Sequence, residues 1–203
     1  MVLAGHPDPN EVIEQWVASQ SGIESLEGEF VQTRKLPALR VPLRSEGMLW
    51  MAKGGFFRWQ TGNPPGVVLL RTGVDAWLAW PRRREFQKID LQRADAAEWL
   101  VALEFPGGMD PEEFRRRFEV LDVSIDGVGG CRVELLPRET MARQFVKMIV
   151  LRFMVEGGMV MGFEICLKDG SVINTEFRNV RVNQAVDWSV FRIDTSGWRE
   201  VGS

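Results

Sequence analysis

The segment from residue 46 to residue 87 constrains the fold most, because five short apolar stretches in it are separated by turn residues. Glycine, proline or asparagine follows most of these stretches, which is typical of consecutive antiparallel strands. Some of the strands are apolar on both faces: alternation puts Trp77 and Ala79 on one side of a strand and Leu78 and Trp80 on the other. A sheet with one face in water would carry polar residues at every second position. We therefore expect a helix, a ligand or a partner to cover each face.

Length, charge and composition exclude several classes of protein. A chain of 203 residues is ordinary for one β-sandwich or barrel domain. A net charge of -3 and a pI near 5.4 argue against a nucleic-acid-binding surface, which needs an excess of basic residues. No apolar run approaches the length of a membrane span. The 8 tryptophans, 12 phenylalanines and 9 methionines suit a dry, adaptable cavity, and they suit an ordinary methionine-rich core equally well.

Three helices are predicted from capping signals and apolar stripes at helical spacing. The first begins at Asp8 and Pro9. The second and third form a mid-chain pair that begins at Asp95 and at Asp110. The apolar stripes of the three helices contain Val12, Ile13, Trp16 and Val17, then Ala96, Trp99, Leu100 and Leu103, and finally Phe114 and Phe118.

Strand patterns resume after the helix pair, at residues 120–125, 131–136, 145–155, 159–167 and 172–182. Residues 36–44, with two prolines, are predicted to be a loop or an irregular edge, and the chain beyond Phe191 a frayed polar tail. The fold class is therefore mainly β with helices (α+β): an unclosed antiparallel barrel of about 10–11 strands in one domain, with an ordered core of about 8–195. We expect the N-terminal helix and the mid-chain helix pair to cover its concave face.

Residues for covalent or metal chemistry are scarce in the sequence. His6 is the only histidine, which argues against histidine-based triads and histidine-rich metal sites. Cys131 and Cys166 lie on strands separated by a third strand, too far apart for a disulfide. No phosphate-binding glycine loop, paired carboxylates or metal-ligand spacing is present. We therefore predict neither an enzyme nor a bound cofactor or metal.

An ordered succession of short motifs runs from about residue 12 to residue 194, and no single motif is specific. The motifs of its first half are Phe30-x-Gln32, Gly47-x-Leu49-Trp50, Phe57-Arg58-Trp59, Pro64-Pro65, Leu69-Leu70, the turn and strand from Gly73 to Trp77, Pro81 and Gln87. The motifs of its second half are Asp169-Gly170-Ser171, Phe177-Arg178-Asn179-Val180, Asn183 and Asp187-Trp188-Ser189-Val190-Phe191.

This succession resembles the LolA-type periplasmic carriers of outer-membrane lipoproteins. The resemblance implies an unclosed barrel with a helical lid that holds the acyl chains of a lipoprotein in an apolar cavity. It also implies acylated lipoprotein or lipid cargo, an inner-membrane donor and an outer-membrane acceptor as partners of a monomer. Two other functions remain open: a lipid- or lipoprotein-sensing module in envelope signalling, and an enzyme acting on an apolar substrate.

We assign candidate site residues on this basis, although the same tryptophans would be core residues in any β protein. The candidate cavity residues are Met48, Trp50, Phe57, Trp59, Trp77, Trp80, Met161 and Phe163. The candidate lid residues are Trp99, Leu100, Leu103 and Phe114.

One position departs from the family pattern. The family carries an Arg-Pro pair just before the Phe-x-Trp motif, and that arginine bonds to the lid, whereas this chain has Lys53 and Gly54. A lysine provides a flexible point charge where an arginine provides a planar fork. Lys53 is therefore a candidate latch toward the helix at residues 96–103, or else a solvated turn residue.

The resemblance also predicts the compartment, which is the periplasm. We expect the full-length gene to encode a cleavable export signal upstream of Val2. Fractionation of cells that express the full-length gene should recover the product outside the cytoplasm. Product retained in the cytoplasm would contradict the expectation.

Overall fold

The computed structural model describes residues 9–73, 75–90, 111–140 and 142–202. Its strands form one open sheet in the order β12-β6-β5-β4-β3-β2-β1-β11-β10-β9-β8-β7. The bounds are β1 Ser25–Lys35, β2 Leu43–Ala52, β3 Phe56–Thr61, β4 Val67–Thr72, β5 Asp75–Trp80, β6 Glu85–Ile89, β7 Phe118–Ile125, β8 Gly130–Pro137, β9 Val146–Met154, β10 Val160–Leu167, β11 Val172–Val182 and β12 Arg199–Glu200.

Helical segments are few in the described residues. They are α1 Pro9–Gln20, α2 Pro111–Arg117, α3 Ala142–Phe145, and 3-10 turns at Pro81–Arg83, Glu156–Gly158 and Trp188–Phe191. The mainly β, unclosed architecture is confirmed. All pairings are antiparallel except that of β12, which runs parallel to β6. Part of the segment predicted as a frayed polar tail is therefore a strand.

The inner, concave face of the sheet packs against α1, as the helical stripe predicts. Val12, Ile13, Trp16 and Val17 are all buried in one cluster with residues of β8, β9 and β10. The Trp16 ring stacks on Phe153 at 4.6 Å between centroids, and its Nε1 donates to the carbonyl of Gly158 at 3.0 Å. Gln20 Nε2 donates to the same carbonyl at 3.3 Å, so α1 is fixed by apolar contact and by two hydrogen bonds to Gly158.

The mid-chain helix pair is only partly within the described residues. The predicted helix at residues 96–103 lies outside them. The second helix of the pair is α2, and its Phe114 is buried in the same cluster as α1. Arg117 pairs with Glu113 at 2.6 Å, which leaves the charged side of α2 toward solvent.

The outer face of β2–β6 is covered by the chain's own C-terminal segment, residues 186–198, a cover that the sequence pattern did not predict. Phe191 is buried there, and the Arg58 guanidinium reaches out from β3 to hold the segment. Arg58 Nη1 donates to the carbonyls of Val190 at 2.8 Å and Arg192 at 3.2 Å. The outer cluster consists of Ala52, Val68, Leu70, Ala79 and Phe191, with Trp50, Phe56, Trp77, Phe86, Val186, Val190, Ile193 and Trp198 packed against it.

A β-bulge in β10 separates two of the candidate cavity residues, Met161 and Phe163. The pairing with β9 shifts between Val160 and Gly162, so Val160, and not Met161, joins Phe163 on the inner face. The Met161 side chain is 43% exposed. Only glycine fits at position 162, because a Cβ there would lie 2.2 Å from the carbonyl oxygen of Thr175.

Strands β1, β2 and β3 pack together at the centre of the sheet through Phe30, Gly47 and Trp59. The Phe30 and Trp59 rings stack with centroids 3.7 Å apart. The Phe30 ring lies over Gly47, where a Cβ would be 2.5 Å from its Cζ and 2.0 Å from the carbonyl oxygen of Gln60. The glycine makes room for the aromatic ring, so the two residues form one packing unit.

We expect Gly47→Ala to destabilise the fold, because the backbone oxygen of Gln60 cannot move away without disturbing the β2–β3 ladder. Overpacking of this kind costs about 1–3 kcal/mol, and occasionally more. Urea unfolding followed by tryptophan emission measures it. The matched control is Gly127→Ala in the β7–β8 turn, where no atom lies within 4 Å of the new Cβ, and a change within about 0.5 kcal/mol is expected. Equal effects of the two changes would contradict the packing argument.

Candidate functional site

The candidate site is the inner face of β2–β6, an apolar surface built by strand alternation. Cross-strand pairing aligns Leu49, Trp59, Leu69 and Leu78 in one row across four strands. Phe57, Leu69 and Leu78 are buried, whereas the side chains around them are only partly buried. These partly buried residues are Met51, Trp59, Val67, Trp80 and Ile89.

An aromatic path connects this surface with the half of the sheet that α1 covers. Trp59 lies 6.5 Å from Phe57 and 6.4 Å from Phe177, measured between ring centroids. Phe177 in turn lies 5.8 Å from Phe163 on β10. Because Trp59 contacts the apolar clusters on both sides, the inner face is continuous from β6 to β10.

Four of the eight predicted cavity residues lie on this inner face: Phe57, Trp59, Trp80 and Phe163. A ligand-lining role for them stays a prediction.

The other four predicted cavity residues lie elsewhere, which corrects the prediction that all eight share one face. Trp50 and Trp77 pack on the outer face beneath the C-terminal segment, and Met48 shares that face because it pairs with Gln60 beside Val68. Met161 is exposed beyond the β10 bulge. Period-two alternation requires this separation, because Met48 and Trp50 flank the inward-facing Leu49.

The predicted lid and latch lie mostly outside the described residues. Trp99, Leu100 and Leu103 are among the residues not described, whereas Phe114 is buried against α1 and the sheet. Lys53 lies in the β2–β3 turn, where its Nζ is 3.5 Å from Glu24 Oε1 and both side chains are exposed. An exposed pair of this kind contributes little stability. A latch from Lys53 to residues 96–103 stays a prediction.

A cleft between α1 and α2 opens toward solvent beside the inner face. Its volume is about 160 Å³, and an ion pair lies at its mouth: Arg115 Nη1 is 3.6 Å from Glu14 Oε1. The apolar lining residues are Ile13, Val17, Pro111, Phe114 and Val120. This cleft was not predicted, because the pattern of each helix alone does not show how the two helices meet.

Polar groups also lie on the inner face. Cross-strand pairing puts Arg71 beside Phe57, and Gln87 and Glu85 of β6 beside Leu78 and Trp80. Gln32 Nε2 donates to Oγ1 of the buried Thr175 at 3.2 Å. In the described part of the chain, no three His, Cys, Asp or Glu side chains converge to hold a metal ion. The apolar row can therefore bind apolar groups by contact and burial, with the polar groups of β6 at its end.

No helix within the described ranges is long and apolar enough to cross a membrane.

Comparison with known proteins agrees with this geometry. The family model described as outer membrane lipoprotein carrier protein LolA matches residues 21–194. A putative outer membrane lipoprotein-sorting protein domain from Vibrio parahaemolyticus superposes with a TM-score of 0.53 at 11% identity, over 89% of this chain and 94% of that chain. An uncharacterized conserved protein from Thermus thermophilus gives 0.55 at 10% identity, over 95% and 97%. No curated protein matches this sequence.

The two cysteines allow access to the inner cluster to be measured. Burial raises the pKa of the Cys131 thiol from 9.0 to about 11, so its reactive thiolate is scarce at pH 8. We expect iodoacetamide to label Cys166, which is only partly buried, well before Cys131. Cys166→Ser and Cys131→Ser leave one thiol each for the measurement.

The same shift predicts a dependence of stability on pH. Because the folded pKa of Cys131 is raised, the unfolded chain loses this proton first as the pH rises. The contribution of the neutral thiol to the free energy of unfolding is therefore complete well below pH 9 and declines between pH 9 and about 11. Denaturant unfolding of the Cys166→Ser variant across this range should show the decline, and the double variant without thiols should show less. An equal decline in both would contradict the assignment to Cys131.

Proposed function

The chain belongs to the LolA family, and from this we propose that it is a carrier that binds acyl chains on the inner face of its open sheet. The cargo would be the acyl chains of lipoproteins, or another lipid, moved through the periplasm toward the outer membrane. The observation that carries the proposal is the continuous apolar inner face, where Met51, Trp59 and Trp80 are only partly buried. The proposal includes no covalent step.

The physical basis of binding is burial of methylene groups. Each CH₂ removed from water contributes about 0.8 kcal/mol before the cost of ordering the chain. Such binding is spread along the chain and needs no polar anchor. Because no single contact dominates, an acceptor with a larger apolar surface can withdraw the cargo stepwise.

We further propose that the chain works as a monomer between an inner-membrane donor and an outer-membrane acceptor. Transfer distinguishes a carrier from a lipid sensor, since a sensor would retain its ligand. Release of a bound acylated peptide to acceptor vesicles, followed over time, is the corresponding measurement.

Two tryptophans on β5 provide a test of which face binds. Trp80 lies on the inner face and Trp77 on the outer face, and both are partly buried. A brominated acyl chain quenches the tryptophans that it contacts. We therefore expect an acylated peptide with a brominated chain to quench the protein's emission, and the quenched fraction to fall in Trp80→Phe but not in Trp77→Phe.

The Trp77→Phe variant is the matched control, because it removes one tryptophan from the same strand. Binding of the peptide should be measured separately, so that loss of a reporter is distinguished from loss of affinity. Equal quenching of both variants would contradict binding at the inner face. Absence of any quenching or binding in the native protein would contradict the carrier proposal.

A further inference from the structure

The β1–β2 hairpin extends beyond β3 on one side, whereas β11 pairs with β1 as far as Lys35 on the other. The last pair that β2 makes with β3 joins Gly47 to Thr61, whereas β2 begins four residues earlier at Leu43. At about 3.3 Å per residue, β2 extends about 13 Å past its last pair with β3. Every residue from 37 to 44 is exposed. Residues 34–44 form a hairpin tip, whose base pairs with β11 and whose Pro37 lies beside Gly170 in the β10–β11 turn.

The hairpin tip is basic although the chain as a whole is acidic. It contains Arg34, Lys35, Arg40 and Arg44 and no acidic residue, in a chain with a net charge of -3. Arg44 pairs with Glu46 at 2.7 Å. The other three form no ion pair with any residue that the structure describes. Their charge is therefore free to act on an external surface.

Apolar side chains alternate with these charges. Leu39 is 45% exposed, Val41 74% and Leu43 50%. Two prolines, Pro37 and Pro42, flank the turn and limit its freedom. Single exposed apolar residues are ordinary on a surface, but three within five positions, at the end of a projecting hairpin, form a concentrated apolar tip.

The other connections at the same rim of the sheet reinforce the charge. Antiparallel pairing places residues 36–42, 62–66, 81–84, 168–171 and the β8–β9 connection at one rim. The described residues of these five connections carry two acidic side chains, Glu139 and Asp169, against basic Arg40, Arg82, Arg83, Arg84, Arg138, Arg143 and Lys168. At the opposite rim, residues 21–24, 53–55, 126–129 and 155–159 carry Glu24, Asp126, Glu156 and Lys53.

We propose that the hairpin tip is a membrane-surface anchor for a bilayer that contains anionic phospholipid. Leu39 and Val41 enter the boundary between head groups and acyl chains, while Arg34, Lys35 and Arg40 contact lipid phosphates. Basic residues beside apolar ones are the combination that interfacial binding requires. The exposed aliphatic side chains between the basic ones favour a lipid surface over an acidic protein surface. The proposal does not depend on acyl-chain binding at the inner face.

Vesicle flotation tests the anchor with the native chain. Vesicles of phosphatidylethanolamine with phosphatidylglycerol should bind the protein, whereas phosphatidylcholine vesicles should not, and added salt should weaken the binding. Val41→Asp should lower the partition coefficient about tenfold, since it removes a buried aliphatic side chain and adds a repelled charge. The matched control is Val128→Asp, at an 81% exposed valine in the β7–β8 turn at the opposite rim, which should leave binding unchanged.

The charges are tested in the same assay. Arg40→Gln should lower partitioning about fivefold at low salt, while Arg116→Gln on α2, where the side chain is also exposed, should have a much smaller effect. Thermal melts of all four variants establish that the fold is intact. Failure of the native chain to bind anionic vesicles, or equal losses in Val41→Asp and Val128→Asp, would overturn the anchor. A loss with Arg40→Gln but none with Val41→Asp would overturn insertion and favour an acidic protein surface.

Discussion

Several strands from β2 to β5 carry large apolar side chains on both faces, and most of the structure follows from the need to keep both faces from water. On the outer face, residues 186–198 provide the cover, and the bonds from Arg58 to the carbonyls of Val190 and Arg192 hold this segment in place. On the inner face of the other half of the sheet, α1 supplies apolar side chains. On the inner face of β2–β6, large side chains such as Trp59 and Trp80 stay partly accessible.

The half of the sheet that α1 covers and the half formed by β2–β6 meet at one aromatic junction. Phe30 stacks on Trp59 above Gly47, and Trp59 contacts the clusters of both halves. This junction is closely packed, because a Cβ at position 47 would overlap both backbone and ring. In the carrier that we propose, the junction separates the binding surface around Trp80 from the core beneath α1.

The sequence predicted those features that depend on residues close together in the chain. The buried stripe of α1 and the bounds of β11 at Val172 and Val182 were predictable, since capping, helical spacing and alternation act within one segment. The exposed position of Met161 was not predictable, because the bulge depends on the approach of Gly162 to Thr175 on the neighbouring strand. The outward direction of Trp50 and Trp77 follows from alternation, but which face is the inner one depends on the whole sheet. The cover by the C-terminal segment rests on contacts more than a hundred residues apart in the chain.

An open sheet has two end strands, and free backbone groups on such strands favour pairing with a second molecule. In this chain β12 adds to β6 and occupies part of one end through Arg199 and Glu200. At the other end, β7 has a register shift between Val120 and Asp122, and the Asp122 side chain is exposed there. Short strands, irregular register and charge at an end strand disfavour edge-to-edge pairing with another sheet. The two-residue β12 therefore shortens the edge of β6 with which a second molecule could pair.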